Sequence, residues 1–319
     1  MRIGVLDVGS NTVHLLLVDA HWGAPPTPVS SERWTLRLAE MIDSEGALGA
    51  PGTADLVSAV SSAAKSARKA HCGELIAFAT SAIRDAVDSE DVLASVLSAT
   101  GVSLRVLSGA DEARLTFLAV RRWFGWSAGN LLVLDIGGGS LELAGGSDER
   151  PSFAESLPLG AGRLYRTWFA ARAQIRPPGA AAVAELHKHV TRELDALASS
   201  LAAAGPFERV VGTSKTFRTL ARLAGAAPSG AGPLEPRSLT VDALRQVTAF
   251  ISRMTPSDVG ALDGVSADRA DQLVAGAAVA LATMEAVSAV AGVERIDICP
   301  WALREGVILE RLDHIEFSS

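Results

Sequence analysis

The sequence predicts an α/β protein built as two lobes of similar construction. The first observation is the segment IGVLDVGSNTVHLLLVDA, two apolar runs joined through a polar hinge. The second is NLLVLDIGGGSLELAGG, which repeats that pattern in the middle of the chain. The third is the alternation of strand-like and helix-like segments between and after these two copies, the pattern of an α/β sheet. A length of 319 residues suffices for two domains, each with its own core.

In order along the chain, the first copy reads as strand, tight turn, strand, with Asp7 near the end of the first strand and Gly9-Ser10-Asn11-Thr12 in the turn. TADLVSAVSSAAKSARKAHCG follows with helical spacing, ELIAFATSAIRDA opens as a strand, and SEDVLASVLSATG reads as a helix. SLRVLSG is strand-like and ADEARLTFLAVRRWFG helical. The second copy carries Asp135 near its strand end and Gly137-Gly138-Gly139-Ser140 in its turn. Beyond Gly145 the helical share rises: AAAVAELHKHVTRELDALASSLAAAG and VDALRQVTAFISRM are amphipathic, and FERVVGTSKTFRTLARLAG is a strand followed by a helix. The Pro/Gly/Ser-rich stretch AGAAPSGAGPLEPRS is an exposed loop. A boundary near Trp123–Asn130 gives lobes of residues 1–125 and 126–319.

Composition narrows the function. Lys and Arg total 29 against 36 Asp and Glu, a formal charge of -7, which argues against a protein that coats nucleic acid or anionic lipid through bulk charge. A local phosphate pocket remains open. With 48% hydrophobic and 20% charged residues the chain is neither disordered nor fibrous. Cys72 and Cys299 cannot build a disulfide framework or a metal knuckle. MRIGVLDVGS lacks a basic region followed by a long apolar stretch and does not read as a signal peptide. LVAGAAVALATMEAVSAVAGV, from Leu273, is rich in Ala and interrupted by Glu285, which favours a buried helix over a membrane span. A cytoplasmic protein with neither nucleic-acid nor membrane partners is expected.

The two turns are the candidate chemistry. A Gly-rich turn lets backbone N–H groups approach an anion, and an Asp at the preceding strand end can hold a divalent cation against the same phosphate oxygens. Either turn alone reads as a plain hairpin with Gly chosen for positive φ; two matched copies, each preceded by Asp and containing Ser, favour the anion site. They are not the commoner nucleotide loops: no GxxxxGK[ST] exists, and each turn leads into a strand instead of opening a helix. GAGRLY at Gly160 has two of the three dinucleotide glycines and no preceding strand of the required kind, so it is set aside.

These turns, taken in order with TSAIRDA, SGADEARLTF, GTSKTF and ALREGVIL, resemble the exopolyphosphatase/guanosine pentaphosphatase (Ppx/GppA) family of the actin-like superfamily. The resemblance runs from Ile3 to about Leu312 and is closest to the short actinobacterial exopolyphosphatases. It implies two actin-like, ribonuclease H-like lobes facing a central cleft, with a C-terminal helix at about 301–313 packing back on the first lobe. Glu112 then matches the catalytic base that activates water, although Asp111 and Glu112 also suit a helix N-terminus. Asp135 and Glu142 match metal-binding acids, with Asp7 their counterpart in the first lobe; by alternation with Leu141 and Leu143 alone, Glu142 reads as a solvent-facing strand residue. Gly9, Ser10, Asn11 and Thr12 match one phosphate loop, and Gly137, Gly138, Gly139 and Ser140 the other. Arg84 matches an arginine near the phosphates, where a fixed fork suits bidentate contact.

Two departures stand out. Ser214-Lys215-Thr216 replaces the usual glycine pair before Thr, with Ser214 and Lys215 at a helix N-terminus that could still offer N–H groups to an anion. Cys299-Pro300-Trp301 replaces Ser-Asp-Gly or similar before ALREG. Arg163, Arg166, Arg172 and Arg176 fall in a stretch without an acid, and Lys215, Arg218 and Arg222 on one helical face, a substrate track or ordinary surface arginines. The resemblance implies Mg²⁺-dependent hydrolysis of the terminal phosphoanhydride of inorganic polyphosphate by a cytoplasmic homodimer. Guanosine pentaphosphate or another nucleotide is the alternative substrate, and the rival readings are a kinase of the same superfamily and a polyphosphate or nucleotide sensor without turnover.

Overall fold

The apolar runs of both repeats become the inner strands of two sheets. The computed structural model describes residues 1–21, 23–170 and 177–315. In the first sheet, β1 (Arg2–Val8), β2 (Thr12–Asp19) and β3 (Ser30–Thr35) form an antiparallel meander, and β4 (Glu74–Ala79) and β5 (Arg105–Val106) extend it in parallel, in the order β3-β2-β1-β4-β5. Both faces of β1 are covered, as its unbroken apolar run requires. Leu6 and Val8 pack with Leu56, Val60 and Ala63 of the helix Gly49–Lys69. Ile3 and Val5 pack on the other face with Leu115, Val307 and Ile308.

The second sheet repeats the plan. β6 (Leu131–Ile136), β7 (Leu141–Gly146) and β8 (Phe153–Leu157) form the meander, and β9 (Arg209–Gly212) and β11 (Arg295–Ile298) continue in parallel. The short β10 (Ser238–Thr240) adds an antiparallel edge, giving the order β10-β11-β9-β6-β7-β8. Meander first, parallel strands after: the two units share this order, as two lobes of similar construction should. The Ala-rich helix Leu273–Ala291 is long and apolar enough to cross a membrane, but every residue from Leu273 to Met284 is buried in the core of this unit. Its small residues permit close approach, for a Cβ on Gly276 would lie 2.7 Å from Thr216 Cγ2. Arg237 ties the Pro/Gly-rich loop down by donating to the carbonyls of Ala227, Pro228 and Gly232.

The chain divides into Met1–Leu115 with the segment from Leu303, and Thr116–Ala302. The division therefore falls inside the helix Gly109–Phe124 and not after it at 125/126. One uninterrupted helical pattern hides a change of partner: Leu115 packs with Ile3 and Val5, whereas Arg121 bonds to Gly129 and Gly146 of the second unit. The C-terminal helix, Leu303–Asp313, belongs to the first unit, where Gly306 brings it against the first half of that helix. A Cβ on Gly306 would sit 2.0 Å from Leu115 O.

Two polar residues hold each unit's loops in place. Arg121 is 1% exposed and donates to the carbonyls of Gly125, Gly129 and Gly146 at 3.3, 2.8 and 2.8 Å. It thereby closes the end of the β6–β7 hairpin away from its Gly turn, with the Phe117 and Trp126 rings 5.7 and 5.8 Å from its guanidinium carbon. In the first unit Asp88 accepts from the N–H groups of Leu48 and Gly49, both at 2.9 Å, and so caps a helix forty residues earlier in the chain.

Two outcomes follow. Arg121→Leu keeps the apolar stem but orphans buried carbonyls; at about 1–3 kcal/mol for such a loss, thermal melts should show Tm lower by about 2–8 °C. For Asp88, burial pushes the carboxyl pKa up, but the Leu48 and Gly49 N–H groups outweigh it and hold it below the usual carboxylate range. A carboxylate depressed in the native state stabilises above its unfolded pKa, and that contribution disappears as pH falls through the native value. Asp88→Asn should cost about 1 kcal/mol at neutral pH, and denaturant titrations of the two proteins should converge as pH falls below the usual carboxylate range.

Candidate active site

In the first unit the polar hinge is a turn closed by Gly9 N–H donating to Thr12 O at 3.0 Å. Ser10 and Asn11 are buried, at 6% and 5% exposure, because the turn is built into its surroundings and does not project. Asn11 O accepts from Leu36 N and Arg37 N, and Ser10 O from Ala39 N. Ser10 Oγ shares a hydrogen bond of 2.9 Å with Ser81 Oγ, which joins the turn to the TSAIRDA motif. Ser81 opens the single-turn helix Ser81–Arg84, whose last residue carries the candidate arginine.

Arg84 donates through NH1 to Glu112 Oε1 and to Leu107 O (3.2 Å), and its Nε to Asp85 Oδ1 (3.2 Å). Glu112 sits in the first turn of the helix Gly109–Phe124, its N–H bonded to Ser108 O, with a residue exposure of 7%. Ser108 and Asp111 exchange hydrogen bonds across the helix start, so Asp111 is the capping acid and Glu112 the one turned inward. A carboxylate this buried requires a partner, and the Arg84 fork supplies it. Arg84, read from sequence as a phosphate contact, is thus placed against the candidate base.

Asp7 lies opposite His14 in the β1–β2 register. Its Oδ2 is 4.0 Å from Arg304 Nε in the ALREG motif, and Arg304 also donates to His14 Nδ1. His14 Nε2 in turn meets Ser31 Oγ at 3.2 Å. Neither His14 nor Arg304 was singled out by sequence; counting the hairpin register outward from the Gly9–Thr12 turn would have set His14 beside Asp7.

In the second unit, Asp135 and Glu142 are direct partners across β6 and β7, hence on one face of the sheet. Glu142 is 6% exposed and does not face solvent, because every residue of β7 is buried and both faces of the strand are therefore covered. Its Oε1 accepts from Ser156 Oγ at 2.9 Å. Among the described residues no three His, Cys, Asp or Glu side chains gather into a cage. Two hard-oxygen donors on one face nevertheless fit Mg²⁺, which is held by one or two carboxylates and takes its remaining ligands from phosphate and water.

The Gly137–Ser140 turn closes through Gly137 N–H to Ser140 O at 2.9 Å. The GAGRLY segment, set aside as a dinucleotide motif, docks on this turn: a Cβ on Gly160 would lie 2.3 Å from Gly139 C and Ser140 N. Ser214 adopts φ 37°, in the region that favours glycine, and its Oγ accepts from Phe217 N at 3.2 Å as the N-cap of the helix Lys215–Leu223. Thr216 Oγ1 donates to Ile136 O (3.1 Å), anchoring that helix beside the Gly turn. Lys215, Arg269, Gln272 and the Gly137-Gly138 backbone line one cavity with no acid in its wall. Arg269 and Gln272 carry no sequence signal beyond position.

Of the two basic stretches, Arg172 and Arg176 lie outside the described residues. Arg163 donates to Gly139 O, Arg218 to Pro300 O, and Arg222 to Ala226 O and Asp263. These guanidinium groups hold loops of their own unit. Trp301, in the second departure, stacks edge-on against Trp123 with ring centroids 5.0 Å apart.

The model of the Ppx/GppA phosphatase family matches residues 17–315. The chain is 58% identical over 313 residues to exopolyphosphatase 1 of Mycobacterium tuberculosis, covering 98% of this chain and 89% of that protein. An uncharacterized protein of Streptomyces coelicolor is 40% identical over 98% of this chain and 91% of its own length. Among solved structures, an exopolyphosphatase from Cytophaga hutchinsonii superposes with a TM-score of 0.85 at 23% identity, over 100% of both chains. The PPX-GPPA enzyme of Aquifex aeolicus gives 0.77 at 24%, over 97% of this chain and 99% of that one. These structures share the fold, an actin-like α/β architecture with two sheets, and the sequence matches settle the lineage: the chain belongs to the Ppx/GppA phosphatase family.

Proposed function

We propose that this chain is an exopolyphosphatase, hydrolysing the terminal phosphoanhydride of inorganic polyphosphate to release orthophosphate. The observation that carries the mechanism is the buried Glu112 carboxylate held by Arg84 at the start of a helix. The substrate class is supported by 58% identity to mycobacterial proteins named exopolyphosphatase, over nearly the whole chain.

In this reading Glu112 accepts the proton of the attacking water through the carboxylate that Arg84 holds in one orientation. One fixed orientation matters because general-base catalysis needs hydrogen-bond reach to the water. Gly9–Thr12 and Gly137–Ser140, with Ser214 and Lys215, receive phosphate oxygens through backbone N–H groups, hydroxyls and the lysine cation. Asp135 and Glu142 are the residues that would hold Mg²⁺, with Asp7 as the corresponding acid of the first unit. Bound there, Mg²⁺ supplies charge neutralisation for the phosphoryl oxygens and the leaving group. A cytoplasmic, homodimeric protein accompanies the reading on family resemblance.

Phosphate release from purified protein, measured across polyphosphate lengths and guanosine pentaphosphate, tests it. Polyphosphate should be the better substrate; preference for guanosine pentaphosphate assigns the alternative activity, and tight polyphosphate binding without phosphate release assigns a sensor. Glu112→Gln should lower kcat by about 10²–10⁴ while polyphosphate still binds, and near-normal turnover by the folded variant removes Glu112 as the base. Thorough chelation should abolish phosphate release and added Mg²⁺ restore it, whereas activity undiminished by chelation argues against the metal.

A further inference from the structure

The segment Gly160–Arg163 takes up three consecutive carbonyls of the second Gly turn. Ala161 N–H donates to Gly137 O at 3.0 Å, Arg163 N–H to Gly138 O at 2.9 Å, and Arg163 Nε to Gly139 O at 2.9 Å. The glycines make this possible. A Cβ on Gly160 would lie 2.3 Å from Gly139 C, closer than any side chain can come, and one on Gly162 would crowd Gly138 O at 3.1 Å.

A trans peptide points its N–H opposite to its C=O. Fixing the carbonyls of Gly137, Gly138 and Gly139 on the Gly160–Arg163 side therefore aims the N–H groups of Gly138, Gly139 and Ser140 the other way. A glycine triplet left to itself samples many conformations, and a turn that is not held leaves its amides misplaced when charge develops on the phosphoryl group. Two of the three anchors are backbone N–H groups that any residue supplies. The third is the Arg163 side chain, the one anchor that sequence can alter.

We propose that Arg163 is a positioning residue, which orders the Gly137–Ser140 turn through its Nε–Gly139 O bond so that three amides face the phosphoryl group. This deepens the exopolyphosphatase reading and rests on it for the identity of the anion. It also separates Arg163 from a substrate track. A guanidinium that touches the polyphosphate chain contributes more as the chain lengthens, whereas one that shapes the turn acts equally on every substrate whose terminal phosphate enters it.

The test pairs Arg163→Ala with Arg163→Lys, which keeps the charge and the aliphatic stem but has no Nε–H at that position. Steady-state kinetics are measured on tripolyphosphate and on long polyphosphate in parallel with hydrogen exchange across Gly137–Arg163, and circular dichroism confirms folding. Both variants should lose about 10–100-fold in kcat, with kcat/KM falling by the same factor on both substrates, and amide exchange in the segment should rise. Wild-type kcat in Arg163→Lys, or a loss that appears in KM and grows with chain length, overturns the proposal. So does unchanged exchange, whether or not the wild type hydrolyses polyphosphate. Failure of the wild-type protein to release phosphate from any polyphosphate overturns the exopolyphosphatase reading and leaves the exchange result to decide the role of Arg163 in the turn.

Discussion

The pairing of Arg84 with Glu112 is the interaction that ties together the polar framework of the first unit. A carboxylate at 7% exposure loses most of its hydration, and only a charged, well-oriented donor offsets that loss. Arg84 can serve because both of its neighbours along the chain are fixed. Ser81, three residues earlier, is bonded to the Gly9–Thr12 turn through Ser10, and Asp85, one residue later, takes its Nε. The backbone carbonyl of Leu107 takes NH1 as well, close to where Ser108 caps the helix that bears Glu112. The turn, Arg84 and Glu112 are therefore one connected polar structure.

The two units meet the same requirement with different materials. In the first, the turn is held by side chains and by the carbonyls of Ser10 and Asn11 accepting from the residues that follow β3. In the second, three glycines leave no side chain to hold, so a separate segment grips the backbone itself. This division explains why an acidic protein can take an anionic substrate. A net charge of -7 is spread over the surface, whereas the groups that would meet phosphate are amides, hydroxyls and single cations fixed at two turns.

Much of this was legible in the sequence, and the failures share a cause. Strand-turn-strand repeats, the inward Asp at each strand end and the long alternation of helices and strands are local patterns, and the sheets carry them. Glu142 misleads because alternation reports which face a residue occupies but not whether both faces are covered, and every residue of β7 is buried. Arg163, Arg218 and Arg222 stay open in the sequence because an arginine bonded to a distant carbonyl has the same local context as one bonded to water or phosphate. Asp88 and Arg304 act across long separations, and the division at Leu115 lies in an unbroken helix. Each of these depends on tertiary neighbours that spacing does not encode.

Ser214 shows how a departure from family pattern can be absorbed. Its backbone, at φ 37° and ψ 160°, occupies a conformation that costs little for glycine and roughly 1–3 kcal/mol for a residue with a Cβ. Serine recovers part of that as an N-cap, because its Oγ accepts from Phe217 N and satisfies an N–H that glycine would leave to water. Phe217 is itself fully buried against Gly212, where an added Cβ would meet its ring at 2.8 Å, so this first turn has no freedom to relax. The helix N-terminus is thereby held with Lys215 beside the Gly137-Gly138 backbone, in a cavity that contains Arg269 and no acid. Replacing a glycine pair by Ser-Lys thus exchanges backbone freedom for one cap and one cation, and leaves the end of the helix directed at the same turn.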